Sequence, residues 1–376
     1  MRRILARLLL LLCLVTRSTR DVPAQELPLQ TLQLAPGFAI EVFARAPGAR
    51  SLALGPQGTV FVGTRDLGNV YALVDRDGDG RAEQVRTLAS GLQWPNGVAY
   101  RGGALYVAER SRILRFDGVD AWLQRAGQPA LQPTVVFDDL PDASGHGWKF
   151  LRFGPDGKLY FGIGDPCNVC VRNDPFASLA RIDPRGGGLE IVARGIRNTV
   201  GFDWHPGTRE LWFTENGADQ MGDDVPSDEL NKVARTGQHF GYPFCHEGSV
   251  SDPRHGKDRP CSEFVPPAHR FGAHVAALGM RFATGPSVPA PLRGKIIVAE
   301  HGSWNRSEPV GYRVVVVDPT GKERETLLVS GWLRGERAWG RPVDVELLPD
   351  GSLLLSDDGA GVVYRVRFDA PKVKKG

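Results

Sequence analysis

The chain has 376 residues, of which 41% are hydrophobic and 24% charged, and a formal net charge of +3, a balance typical of a folded globular protein. Loss of residues 1–24, which hold five Arg and one Asp, would bring that charge to −1. A chain so near neutrality, with no basic stripe interleaved with aromatics, argues against a nucleic-acid partner.

Arg2 and Arg3 lead into an apolar run from Leu8 to Val15, the length of a signal-peptide core. It is shorter than the about 20 residues a membrane-spanning helix needs, so no stable membrane insertion is expected. Val22-Pro23-Ala24 supplies a small-residue cleavage site. The expectation is a signal peptide over 1–24, a single domain over 25–371 and a short tail over 372–376, in a periplasmic or secreted protein.

Beyond the leader, long helical periodicity is almost absent. Phe38–Phe43 reads as a strand that closes a ring against the end of the chain. A hairpin signature then recurs. It runs through Leu54-Gly55-Pro56-Gln57-Gly58, Tyr100-Arg101-Gly102-Gly103, Phe153-Gly154-Pro155-Asp156-Gly157 and Trp204-His205-Pro206-Gly207. A looser copy begins at Met280-Arg281-Phe282, and Leu348-Pro349-Asp350-Gly351 is the last. Gly and Asp supply the backbone angles that such short turns need. Six copies at roughly the 40–50 residues of a blade predict an all-β, six-bladed propeller. Residues 215–275 and 299–313 are polar insertions, and long ordered loops on a rigid scaffold tend to carry function.

Several segments can carry chemistry. Asp75-Arg76-Asp77-Gly78-Asp79-Gly80 starts like a calcium loop, but Arg86 stands where the pattern needs Glu, so an acidic turn is expected. Ser144-Gly145-His146-Gly147-Trp148-Lys149-Phe150 places a histidine between glycines at the third blade's entrance. It suits a general base, or equally a histidine serving its own turn. Cys167, Cys170, Cys245 and Cys261 remain after cleavage, and their spacing suggests disulfides 167–170 and 245–261 among three possible pairings. Arg197-Asn198 opens the fourth blade with a donor fork that suits carboxylate or quinone oxygens, or an ion pair along the blade edge. Oxygen donors crowd Thr214–Asp219 and Asp223–Glu229, in keeping with a hard cation or a solvated acidic loop. Arg341 holds in the sixth blade the position that Arg197 holds in the fourth. With Glu300 and His301 of the fifth, these charges are expected to meet as a polar anion pocket.

Taken in order, these motifs resemble the soluble PQQ-dependent glucose/sorbosone dehydrogenases, also called aldose sugar dehydrogenases. The stretches that carry the likeness are His146-Gly147-Trp148-Lys149-Phe150 with Phe153–Tyr160, Arg197-Asn198, Thr214-Glu215-Asn216-Gly217 with Asp228-Glu229-Leu230-Asn231, Phe240-Gly241-Tyr242-Pro243, and Val343-Asp344-Val345. The Cys167–Cys170 segment and Gly340–Val345 resemble the sorbosone-type branch more than the glucose type. The likeness implies a six-bladed propeller holding pyrroloquinoline quinone (PQQ) and Ca2+, which oxidises a sugar or sugar-derived aldehyde by His-assisted hydride transfer and passes electrons to a separate acceptor. Carried over, His146 is the base, Arg197, Asn198 and Arg341 hold the cofactor, and the carbonyls of Gly217 and Ala218 ligate its calcium. Glu229, beside Asp228, helps to hold a second, structural calcium. The family's Gln near the second blade matches Gln93 or Asn96, and Ser303 or Arg306 stands for its fifth-blade Lys. Gly145 replaces the acid that precedes the base, and Val343 replaces a second Arg. A calcium-dependent lactonase and a non-catalytic binding propeller are the alternative readings.

Overall fold

Each turn signature closes a hairpin, and each hairpin is extended outward by two further strands. A computed structural model describes residues 26–125, 127 and 129–369. The leader over 1–24 and the tail over 372–376 lie outside them.

The six hairpins open six blades arranged as a propeller. Blade 1 holds Leu52–Leu54, Val60–Gly63, Val70–Val74 and Gln84–Ala89. Blade 2 holds Gly97–Arg101, Ala104–Ala108, Ile113–Phe116 and Thr134–Phe137. Blade 3 is Leu151–Phe153, Leu159–Ile163, Ser178–Ile182 and Glu190–Arg194, with Gln238–His239 added in parallel outside. Blade 4 is Phe202–Trp204, Leu211–Glu215, Ser227–Val233 and His269–Ala273. Blade 5 is Ala277–Phe282, Ile296–Glu300, Arg313–Val317 and Thr326–Ser330, edged by Gln33–Leu34. Blade 6 is Pro342–Leu347, Leu353–Asp357 and Val362–Phe368, and its fourth strand is the N-terminal Phe38–Arg45. The ring is thus closed by pairing one end of the chain with the other, as the sequence predicts.

Six apolar clusters fill the six gaps between neighbouring blades. Phe61 and Phe116 lie between blades 1 and 2, Phe161 between 2 and 3, and Phe202 and Phe213 between 3 and 4. Met280 lies between 4 and 5, Tyr364 between 5 and 6, and Phe43 between 6 and 1. Each blade therefore buries both faces, and no single blade has a core of its own. The first strands crowd together around the axis, so closely that a Cβ on Gly201 would lie 2.1 Å from the Leu278 carbonyl of the next blade. Deep in the axis, Arg281 is fully buried and bridges to Glu346 at 2.9 Å. Burial alone would lower its pKa, but Asp344 and Glu346 raise it and keep it charged.

The 215–275 insertion contributes two strands to blade 4 as well as a loop, because the apolar Leu230 and Phe271 dock into the gap beside blade 5. The Asp75–Gly80 segment is an acidic turn, with Asp75 accepting from the N–H groups of Gly78 and Gly80 at 2.8 and 3.1 Å. Both disulfides join the expected partners. Among the described residues, no helix is long and apolar enough to cross a membrane.

Candidate functional site

In an antiparallel hairpin, the start of the first strand and the end of the second lie at the same end. Six blades therefore bring twelve short segments to one mouth of the axis, and segments from five of the blades line a cavity there of about 250 Å³. Arg50, His146, Trp148, Arg197, Asn198, Ala276 and Arg341 come from segments before first strands. Arg65, Asn216, Gly217, His301 and Gly302 come from segments after second strands.

The floor is apolar. Trp148 packs on Val200, Leu278 and Val343, so Val343 belongs to this floor. Four guanidinium groups stand around it: Arg50, Arg65, Arg197 and Arg341. Arg65 lies 5.2 Å over the Trp148 ring, within cation–π range. Arg50, only 3% exposed, bonds Asn96 Oδ1 at 2.6 Å and pairs with Asp358. Arg341 donates to the carbonyls of His301 and Gly302 at 3.2 and 2.8 Å. The nearby carboxylates are already engaged. Asp219 meets Arg197 at 2.6 Å, Asp358 meets His301 at 2.8 Å, and Asp228 accepts from Gly217 N and Ala276 N at 2.7 and 2.6 Å. Four arginines around an apolar floor, with the nearby carboxylates already paired, make the cavity suited to an anion.

His146 sits in a tight turn in the left-handed backbone region, at φ 46°. Its neighbours must be small: a Cβ on Gly145 would lie 2.0 Å from the Pro166 carbonyl, and one on Gly164 would lie 2.5 Å from His146 Cβ. A non-glycine residue held there stores strain, which tends to occur where function needs a fixed side chain. His146 Nδ1 lies 2.6 Å from the Asp165 carbonyl, which can only accept, so Nδ1 carries the proton and Nε2 keeps its lone pair. The partner that Gly145 cannot supply is thus a main-chain oxygen. Burial, and then the Arg197 charge, push the His146 pKa down to about 4, so the ring is neutral at pH 7. Burial likewise lowers His301 to about 4.

Beside the cavity, the facing strands of blade 4 set Glu215 opposite Glu229, both buried. Burial, and then mutual repulsion, push Glu215 well above the carboxylate range, and burial pushes Glu229 to about 7. Asn231 Nδ2 bonds Glu229 at 2.8 Å, while Asn231 Oδ1 is buried with no partner. Two carboxylates and an orphaned amide oxygen are the donor chemistry of a hard cation. Among the described residues, the carbonyls of Gly217 and Ala218 accept no hydrogen bond from the protein; Gly217 lines the cavity and Ala218 is buried behind it.

The structure gathers His146, Arg197, Asn198, Arg341 and Gly217 at one cavity, and Asp228, expected beside Glu229 at a separate cation, lines the same cavity. Other predicted residues lie elsewhere. Asn96 is buried behind the wall, bonded to Arg50 and to the Lys149 carbonyl at 2.9 Å. Gln93 is exposed, and its main-chain N–H meets Glu109 at 2.5 Å. Arg306 ties the two insertions together through the Asp223 carbonyl and Asp224. Ser303 Oγ closes its own loop by accepting from Val310 N at 3.0 Å. Glu300 is fully buried against Arg313 instead of joining the anion pocket, and His301 is the fifth-blade group that does. Ala218 is buried with Val169 and Tyr242. Sequence reasoning missed Arg50, Arg65, His274 and Asp358. The hairpin rule would have found them, since each flanks a first or second strand.

Fold and site together define a six-bladed propeller with an arginine-ringed, aromatic-floored cavity at one mouth. An uncharacterized protein of Borreliella burgdorferi is 30% identical over 366 residues, covering 94% of each chain. The chain belongs to the same family as this protein, and its residues 185–368 match the TrAA12-like pattern. Three solved structures share the fold. The Trichoderma reesei member of carbohydrate-active family AA12 has TM-score 0.74 and 20% identity, covering 90% of this chain and 97% of its own. The PQQ domain of Coprinopsis cinerea pyranose dehydrogenase, in its holo form, has TM-score 0.74 and 18% identity, with coverages of 89% and 97%. The PQQ-bound aldose sugar dehydrogenase of Streptomyces coelicolor has TM-score 0.63 and 19% identity, with coverages of 89% and 100%.

Proposed function

We propose that this chain is a PQQ- and calcium-dependent dehydrogenase of sugars or sugar-derived aldehydes, with His146 as its base. One observation carries this reading: a histidine whose Nδ1 is held by a carbonyl, leaving Nε2 free, stands edge-to-face beside an indole floor ringed by four arginines. PQQ is flat, aromatic and carries three carboxylates, so floor and ring match it in shape and charge. When bound, the quinone supplies the hydride acceptor. Arg341 and Arg50 would hold carboxylates, and one remaining N–H of Arg197 would meet a quinone oxygen. The open carbonyls of Gly217 and Ala218 fit the cofactor's calcium, and Glu229 with Glu215 and Asn231 fits a structural one. His146 Nε2 takes the proton of the substrate hydroxyl, and the Asp165 carbonyl steadies the imidazolium that forms. The names of the fold relatives, a pyranose dehydrogenase and an aldose sugar dehydrogenase, support the substrate class.

The Cys167–Cys170 segment supports a place near the sorbosone-type branch, and the two disulfides support a periplasmic or secreted enzyme with a separate electron acceptor. A lactonase would need free carboxylates converging on a central metal, whereas Asp219, Asp228 and Asp358 are each bound by protein donors. Equilibrium dialysis of PQQ against purified protein, with calcium present, tests the reading. One PQQ per chain is expected, with affinity at least tenfold weaker in Arg341→Gln. Free passage of PQQ through the wild-type protein would refute it.

A further inference from the structure

The short segment from Asp165 to Cys170 touches both the proposed base and an arginine of the ring. Asn168 lies inside the loop closed by the Cys167–Cys170 disulfide. Its main-chain oxygen accepts from Arg197 Nε at 2.9 Å, and its Oδ1 accepts from Arg197 Nη2 at 3.0 Å. The same Oδ1 accepts from Asp219 N at 2.8 Å, and Nδ2 donates to the Asp219 carbonyl at 2.8 Å. Arg197 Nη2 also reaches Asp219 Oδ2 at 2.6 Å, and Nη1 reaches the Asn216 carbonyl at 3.3 Å. Four of the five N–H groups of Arg197 are thus held by the protein, and a single Nη1 hydrogen is left for a ligand. At the other end, Cys167 N donates to Asp165 Oδ1 at 3.1 Å, and the Asp165 carbonyl holds His146. Cys170 N donates to Tyr242 Oη at 3.0 Å, which anchors the loop to the insertion.

We propose that Asn168 is a positioning residue: held in the ring of the Cys167–Cys170 disulfide, it aims Arg197 at the anion in the cavity, and opening that disulfide releases the aim. The proposal deepens the PQQ reading and rests on it for the identity of the anion. A planar guanidinium clamped on three edges presents its last donor in one direction, so little entropy is lost when the ligand binds. Without the clamp, Arg197 keeps only Asp219 Oδ2 and the Asn216 carbonyl, and its guanidinium is free to swing. A dithiol such as dithiothreitol opens the ring: the S–S bond takes up two electrons and two protons to give two thiols, and the reagent becomes its cyclic disulfide.

Two readouts test this in the full-length protein. The first is labelling of Arg197 by phenylglyoxal, followed by peptide mass spectrometry, which needs neither PQQ nor activity. Asn168→Ala and the double variant Cys167→Ser/Cys170→Ser should each label at least tenfold faster than wild type. Asn168→Asp keeps the oxygen that Arg197 bonds and should fall between. The second is the dissociation constant for PQQ, expected to weaken at least tenfold in Asn168→Ala. The double variant Cys167→Ser/Cys170→Ser should weaken binding to the same degree, and adding Asn168→Ala to it should weaken binding no further, since both act on one clamp. Labelling within twofold of wild type in both Asn168→Ala and the double cysteine variant would overturn the proposal. If wild type binds no PQQ while labelling still accelerates, the cofactor reading fails and the clamp stands.

Discussion

Asp358→Asn removes the one carboxylate that serves both Arg50 and His301. Arg50 is 3% exposed and Asp358 20%, so the pair is largely out of water. Burial would raise the Asp358 carboxyl, yet His301 and Arg50 hold it well below the carboxylate range. Leaving a buried charge without its partner costs about 3–5 kcal/mol. The residual exposure of Asp358 and the amide that replaces it put the expectation near about 3 kcal/mol. At roughly 2.1 cal/mol/K per residue, the about 340 described residues unfold with about 0.7 kcal/mol/K, so Tm should fall by about 4 °C. Urea unfolding of Asp358→Asn, Arg50→Gln and the double variant measures the coupling directly. Arg50 and Asp358 should couple by about 2 kcal/mol, and additivity within about 0.5 kcal/mol would refute the reasoning.

The remaining predictions concern the base, the cation and the rim. Because burial and Arg197 lower His146 to about 4, kcat/KM should stay flat from pH 7 down to about 5 and fall as pH drops through 4, where the base becomes protonated. A limb near 6.5, the ordinary histidine value, would contradict it. His146, His239 and His301 are all depressed to about 4, so between pH 6.5 and 4 the unfolded chain binds more protons and their contribution to stability declines with falling pH. Chelator-treated protein should gain about 4 °C in Tm when calcium is restored to about 100 times its Kd, a stabilisation of about 2.7 kcal/mol. Glu229→Gln should lose most of that gain, and equal melting with and without calcium would remove the cation site. Trp304 is 69% exposed at the cavity rim, where an indole can stack on the apolar face of a sugar ring. Trp304→Ala should raise KM for a sugar about tenfold with kcat within twofold, and an unchanged KM would rule out that contact.

The propeller was legible because its repeat is local: Gly, Pro and Asp at each turn announce a hairpin whatever surrounds it. The closure by Phe38–Arg45 could also be read, from a strand-like run near the N-terminus of the ring. The fourth strands were harder to see. Gln84–Ala89 and Thr134–Phe137 lie at blade edges, are largely solvated and carry little alternation. At the site, Arg197, Asn198, Arg341 and His146 could be located because they precede recognisable strands. Arg50 and Asp358 could not be paired, because 308 positions separate them and only ring closure brings them together. Arg306 and Gln93 show the converse error. Arg306 follows the second strand of blade 5 and Gln93 precedes the first strand of blade 2, yet the former spans the two insertions and the latter faces solvent. The partner of His146 was invisible in the residue types, since a main-chain carbonyl has no letter of its own.

The most direct measurement is dye reduction by the purified protein across a panel of aldoses and sorbosone, with calcium, with and without added PQQ. Activity should require both PQQ and calcium, and should fall at least about 100-fold in His146→Ala while PQQ is still bound. No turnover of any substrate by PQQ-loaded protein, or full turnover by His146→Ala, would contradict a quinone dehydrogenase built around this histidine.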